Sequence, residues 1–254
     1  KELIVIAQDT TKYGVDIYGE PKLAELLEKL TKIKGIKWVR FLYAYPEGIT
    51  KELIDVVANN DKIANYFDIP IQHISNTILK RMNRKTNKEQ IENLLKTIRE
   101  QIPNVVLRTS LIVGFPGETK EDFEELKEFV KKVKFDKLGT FMYSKEDGTP
   151  AEKLPDQIHG NTKKARYHQI MKVQQEISKE LQRKKIGKTY EVLIEDMSFD
   201  GKYYIGRTMQ DVPEMDGIVY IKNKTDKKPE EILHHFINCK VAEVSDYDMV
   251  AEFV

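Results

Sequence analysis

The sequence predicts an α/β protein: a parallel sheet, open or barrel-like, with packed helices, followed by a small antiparallel β-barrel. Two observations carry this. From residue 3 to residue 143, apolar runs alternate with amphipathic helical patterns across short links, which is the rhythm of β/α units. After Gly187 the pattern changes to short strands separated by turn residues. The domain boundary is placed there, giving domains 1–187 and 188–254.

The elements follow in order. LIVIAQ (3–8) precedes a helical pattern near 22–30, and WVRFLY (38–43) precedes one near 51–59. FDIPIQ (67–72) precedes helices near 76–81 and 87–101; VVLRTSLIV (105–113) precedes 120–133; KLGTFMY (137–143) closes five β/α units. Between 162 and 185, Tyr167, Ile170, Met171, Gln174, Ile177 and Leu181 share one helical face, and Gly187 is the natural stop. Beyond it YEVLIE, YYIGRT, GIVYI and KVAEVS read as strands, with turns at Asp200-Gly201 and Asp216-Gly217.

With 254 residues, 40% hydrophobic and 33% charged, the chain is long enough to bury a large core. No apolar run approaches the roughly 20 residues of a membrane span, and the first ten residues lack the layout of a signal peptide, so a cytoplasmic location without membrane contact is the default expectation. One cysteine, Cys239, excludes an internal disulfide and any cysteine-cluster metal site built by these residues alone. The net charge of +1 is unevenly spread. Residues 188–254 carry 8 Lys and Arg against 14 Asp and Glu, a net −6, which argues against a phosphate backbone as the main partner of the second domain.

In parallel β/α folds the working residues lie at the carboxyl ends of the strands. Those ends carry Gln8-Asp9-Thr10, Tyr43-Ala44-Tyr45-Pro46, Gln72-His73, Gly114-Phe115-Pro116-Gly117-Glu118 and Tyr143-Ser144, a polar and aromatic set suited to a nucleoside-like ligand. Within VVLRTSLIV, Arg108 is a lone charge in an apolar run, and a buried charge requires a counter-charge. An anionic ligand meets that need; so does an Asp or Glu on a neighbouring strand. Plainer readings stand beside the others too. Gly114 and Gly117 suit a tight turn, His73 a core histidine, and Gln8 and Gln72 a role in satisfying loop backbone.

Four segments together, IVIAQDTTKYG (4–14), FDIPIQHISNTILKRMNR (67–84), RTSLIVGFPGETKEDF (108–123) and FMYSKEDGTPAEKL (141–154), resemble the radical S-adenosylmethionine methylthiotransferases. RYHQIMKVQQEIS (166–178) and GRTMQDVPEMDG (206–217) resemble that family's connector and TRAM domain. The resemblance implies a partial TIM-like (β/α) barrel of six units that lacks its first unit here, with an OB-like TRAM barrel behind it. It implies a chain truncated at the N-terminus and inactive alone, because the family's two [4Fe-4S] clusters are bound by cysteines in the missing segments and none is ligated by this chain. It implies that the complete enzyme cleaves S-adenosylmethionine reductively, that a substrate hydrogen is abstracted, and that a methylthio group follows from the second cluster.

Carried over position by position, the resemblance places Gln8, Gln72, Arg108 and Ser110 nearest the methionyl end or ribose, with Arg108 on the carboxylate. Val113 and Phe115 would flank the adenine, and Phe141 and Tyr143 would close the pocket. Two branches of the family compete: one modifies an adenosine of transfer RNA, the other an aspartate of the twelfth protein of the small ribosomal subunit. QDTTKYG and the acidic second domain favour the ribosomal branch, with a basic ribosomal protein rather than RNA as partner. A reading of another class makes the chain a non-catalytic, TRAM-containing binding module.

Overall fold

The computed structural model describes residues 1–225 and 227–254, in two compact units, Glu2–Gln174 and Gln175–Val254. In the first unit the five expected strands are β1 (Glu2–Val5), β2 (Trp38–Phe41), β3 (Tyr66–Asp68), β4 (Val106–Val113) and β5 (Lys137–Met142). β1 pairs with β2, and β4 pairs with both β3 and β5, always in parallel. Between β2 and β3 the link is carried by Val39 N–H donating to Lys62 O at 2.8 Å and Ala64 N–H donating to Val39 O at 2.9 Å. The five strands therefore run in chain order in one parallel series, and their carboxyl ends share an edge.

The helices are α1 (Val15–Tyr18), α2 (Leu23–Thr31), α3 (Lys51–Ala58), α4 (Asn76–Arg81), α5 (Lys88–Gln101) and α6 (Lys120–Val133). Their starts are written in the sequence. Thr50 caps α3, and Asn87 with Gln90 and Thr119 with Asp122 form reciprocal capping boxes on α5 and α6. α1 was not anticipated, because its four residues bury nothing and so show no periodicity; Gly14 and Gly19, both in the left-handed region, bound it.

The strands sort their side chains by parity. Val39, Phe41, Phe67, Leu107, Leu111 and Val113 are buried on one face, where the Phe41 and Phe67 rings meet edge to face at 5.3 Å. The buried stripes of the helices (Leu27, Leu53, Ile98, Leu126) complete that core. The opposite face carries charge: Glu2, Arg40, Asp68 and Arg108.

In the second unit, β6 (Thr189–Met197), β7 (Tyr203–Thr208), β8 (Val219–Lys222), β9 (Phe236–Val244) and β10 (Met249–Phe253) close into a barrel in the order β10-β8-β7-β6-β9. The expectation of an antiparallel barrel needs one correction: β8 and β10 are parallel, while the other four pairings are antiparallel. One parallel pair in a closed five-strand barrel gives the OB-like order. β10 was not among the strands read from the sequence; MVAEF is short and follows β9 across only four residues. The expected long helix is α7 (Gly160–Arg183), along which the division between the two units falls. Among the described residues no helix is long and apolar enough to cross a membrane.

The barrel core holds Val192, Ile194, Tyr204, Ile221, Val241 and Met249 around the fully buried Cys239. Burial pushes the Cys239 thiol up to about 12. At pH 8 the thiolate is therefore scarce, and the native protein is expected to resist Ellman's reagent until a denaturant opens the barrel, when one thiol per chain reacts. Rapid labelling of the native protein would contradict this packing.

Candidate functional site at the strand ends

The charged face of the sheet is built from two cross-strand ion pairs. On β2 the Arg40 Nε donates to Glu2 Oε1 of β1 at 3.0 Å, with both side chains buried, and the guanidinium lies 4.9 Å from the centre of the Tyr66 ring of β3. On β4 the Arg108 Nη1 donates to Asp68 Oδ1 of β3 at 2.7 Å. The second Asp68 oxygen accepts the Tyr43 N–H at 3.1 Å. The counter-charge for Arg108 is thus Asp68, the protein's own acid, so the need for a counter-charge alone does not call for an anionic ligand. Arg108 keeps 15% of its side chain exposed whereas Asp68 keeps 1%, which leaves the arginine as the half of the pair that faces outward.

Parity decides which of the expected residues meet. Arg108, Ser110 and Ile112 share the charged, half-buried face, and the register sets Gly139 beside Ser110 and Phe141 beside Ile112. Phe141 is 59% exposed there. Gln72, held in the left-handed region at φ 68°, bridges onto β4 through its backbone: its N–H donates to Ser110 O at 2.9 Å and its carbonyl accepts from Ile112 N–H at 2.8 Å. Gln72, Arg108, Ser110 and Phe141 are therefore neighbours. Val113 does not join them through its side chain. It stands on the other face, fully buried with Leu107 and Leu111, so its side chain is core and only its backbone reaches the edge, where its carbonyl accepts from Tyr143 N–H at 2.9 Å.

Phe115 and Tyr143 pack against each other, ring centres 5.1 Å apart, just past the ends of β4 and β5. Gln8 is exposed beyond β1 on the same edge, with β2 and β3 between it and β4. Thr10, two residues on, ties that end to the next strand by donating its hydroxyl to Leu42 O at 2.8 Å.

The turn Gly114–Glu118 is held from several sides. The Glu118 carboxylate accepts the Gly114 N–H and lies 3.2 Å from Arg166 Nη1 of α7, which also donates to Glu118 O at 3.0 Å. His73 is fully buried and its Nδ1 accepts the Ser75 N–H at 3.0 Å, so the ring proton sits on Nε2, 3.7 Å from Glu118. This is a core histidine. Ser75 donates its hydroxyl to Asp122 Oδ1 at 2.5 Å. Burial pushes the Asp122 carboxyl up, but hydrogen bonds from Ser75 and from the Thr119 N–H and hydroxyl outweigh it and leave the group below the ordinary range.

Lys163 of α7 lays its stem across Gly114, donates to Tyr143 O at 2.8 Å and sits 4.8 Å from the Tyr143 ring centre. Desolvation by burial lowers its pKa. Sequence reasoning missed Lys163 and Arg166, which lie in a helix with no local link to the strand ends. It also missed Arg40 and Asp68, although both carry the signal that drew attention to Arg108, a charge inside an apolar run.

Residues 2–130 match the Radical SAM superfamily, and residues 186–254 match the TRAM domain. The chain belongs to the radical SAM superfamily. It is 60% identical over 252 residues to a protein of Alkaliphilus oremlandii named ribosomal protein uS12 methylthiotransferase RimO, covering 99% of this chain and 57% of that one. It is 53% identical over 252 residues to the Clostridioides difficile protein of the same name, covering 99% and 56%. The chain thus spans somewhat more than half the length of these relatives. Among solved structures, coproporphyrinogen III oxidase (HemN) from Escherichia coli, described as a radical SAM enzyme, aligns over 75% of this chain and 50% of its own, at 16% identity and a TM-score of 0.50. That likeness concerns the fold.

Gly114 adopts φ +73°, and the Lys163 stem occupies the place of a side chain there. Gly114→Ala is expected to lower the unfolding free energy by about 2 kcal/mol, and Lys163→Ala in that background to recover part of the loss. Unchanged stability of Gly114→Ala in denaturant titration would contradict the packing described.

Proposed function

We propose that this chain forms part of a cytoplasmic enzyme that transfers a methylthio group to an aspartate of ribosomal protein uS12, using S-adenosylmethionine and two [4Fe-4S] clusters. The observation that carries the reading is the 60% identity to a uS12 methylthiotransferase across 99% of the chain. The clusters and S-adenosylmethionine supply radical and sulfur-transfer chemistry when bound. The one cysteine of this chain is sealed in the barrel core, so its residues do not fit a cysteine-ligated cluster, and no step is assigned to them there.

The residues do fit S-adenosylmethionine. The half-buried face shared by β4 and β5 combines the Arg108 guanidinium, the Ser110 hydroxyl and the exposed Phe141 ring, the donors and apolar wall that an amino-acid carboxylate and a nucleoside require. In this reading Arg108 binds the carboxylate while Asp68 fixes its direction. Ser110 and Gln72 face the methionyl end or ribose, and Gln8 closes the far side of the edge. Phe115 and Tyr143, with the backbone of Val113, flank the adenine, and Phe141 covers it. The acidic barrel, at net −6, receives the basic ribosomal protein, since complementary charge speeds encounter and disfavours RNA.

In the complete, cluster-loaded protein, mass spectrometry should find uS12 heavier by one methylthio group at an aspartate. Modified transfer RNA with uS12 unchanged would overturn the assignment in favour of the adenosine-modifying branch. Arg108→Lys, which retains a cation for Asp68 and loses the planar fork, should weaken S-adenosylmethionine binding about tenfold by calorimetry. Unaltered affinity would remove Arg108 from the site.

A further inference from the structure

The charge of the β6–β10 barrel is not evenly spread. Near the β6–β7 turn and the end of β8, lysines and acids balance: Lys202 pairs with Asp200 at 3.2 Å, Lys222 with Glu243 and Glu252 at 3.3 Å and Lys224 with Glu252 at 3.7 Å. The segments 209–218 and 245–248, by contrast, contain Asp211, Glu214, Asp216, Asp246 and Asp248 and neither Lys nor Arg.

These two acidic segments lie side by side. The Ile218 N–H donates to Asp248 Oδ1 at 2.9 Å, and the Met249 N–H donates to Ile218 O at 2.9 Å. Gly217 lets the Tyr247 carbonyl approach where any side chain would collide with it. The junction brings three large apolar side chains to the surface together: Met215 at 43% exposure, Ile218 at 37% and Tyr247 at 48%. Asp246, on the α7 side of the patch, is taken by Gln175 at 2.6 Å and Lys179 at 3.8 Å, so the acidic groups left around these side chains are Glu214, Asp216 and Asp248. Exposed apolar groups flanked by acidic ones mark an interaction surface, and methionine adapts to varied partners.

We propose that this two-loop surface is where the barrel docks a basic polypeptide segment, narrowing to one patch the uS12 reading on which it rests. An apolar side chain of the partner seats among Met215, Ile218 and Tyr247, while its Lys and Arg side chains face Glu214, Asp216 and Asp248. Charge selects this occupant over RNA, because carboxylates facing phosphates repel. The Tyr247 ring and the Glu214 carboxylate are the two groups whose removal spares the junction, which is tied by backbone atoms and Asp248.

The test is fluorescence anisotropy of labelled uS12 titrated with the full chain. Glu214→Lys combined with Tyr247→Ala should raise Kd at least tenfold and flatten its dependence on salt, with an unchanged melting temperature. Glu230→Lys, an exposed charge reversal elsewhere on the barrel, should shift Kd less than twofold. Wild-type affinity in the patch variant, or equal weakening by Glu230→Lys, would overturn the patch and leave the uS12 reading standing. Retained uS12 binding with loss of binding to a single-stranded RNA oligonucleotide would overturn it in favour of a nucleic-acid surface. No uS12 binding by the unaltered chain would overturn both.

Discussion

The Asp68–Arg108 pair is the constraint on which the strand-end edge depends. A buried ion pair is a poor source of net stability, because desolving two charges offsets much of their attraction. Its effect is on register. Slipping β3 by one residue against β4 would carry Asp68 to the apolar face and leave Arg108 without its carboxylate, and an uncompensated buried charge costs about 3–5 kcal/mol. Arg40 with Glu2 imposes the same condition on β1 and β2, with Tyr66 extending it to β3. The apolar face carries no charge; its buried Thr109 donates its hydroxyl across to Ile69 O at 2.8 Å and so supports the same register.

With register fixed, the edge follows. Asp68 also accepts the Tyr43 N–H, so one carboxylate sets both the strand that precedes it and the arginine that follows. Gln72 is then bonded between Ser110 and Ile112, and the Gly114–Glu118 turn is clamped by Arg166 and Lys163. Groups that bind a ligand work best when held by neighbours whose own positions are locked. The β4 face meets that condition in part: Asp68 orients the arginine, Arg166 and Lys163 hold the turn, and the backbone that carries Ser110 is fixed by Gln72.

The five strands, the main helices and the change of pattern after Gly187 were legible because each has a strong period or cap. α1 and β10 were not, being too short to show one. Among candidate site residues, the strand-end positions were legible from topology alone, but face was not: Val113 is adjacent in sequence to Ile112 and opposite to it in space. The partner of Arg108 was illegible for a different reason. A single charge in an apolar run announces that a counter-charge exists without saying whether the chain supplies it, and here 40 residues of sequence separate the two. The same distance effect hid Lys163 and Arg166, while the parallel β8–β10 pair depends on closure of the barrel, which no local pattern encodes.

The most direct measurement is a double-mutant cycle on Asp68→Asn and Arg108→Met, read as unfolding free energy in denaturant. If the pair fixes register, each single variant loses about 3 kcal/mol, and the double variant loses about 4 kcal/mol, less than the sum of the two, a coupling of about 2 kcal/mol. Strictly additive losses would show that the two side chains act independently, and the account of the strand-end edge built on them would fail.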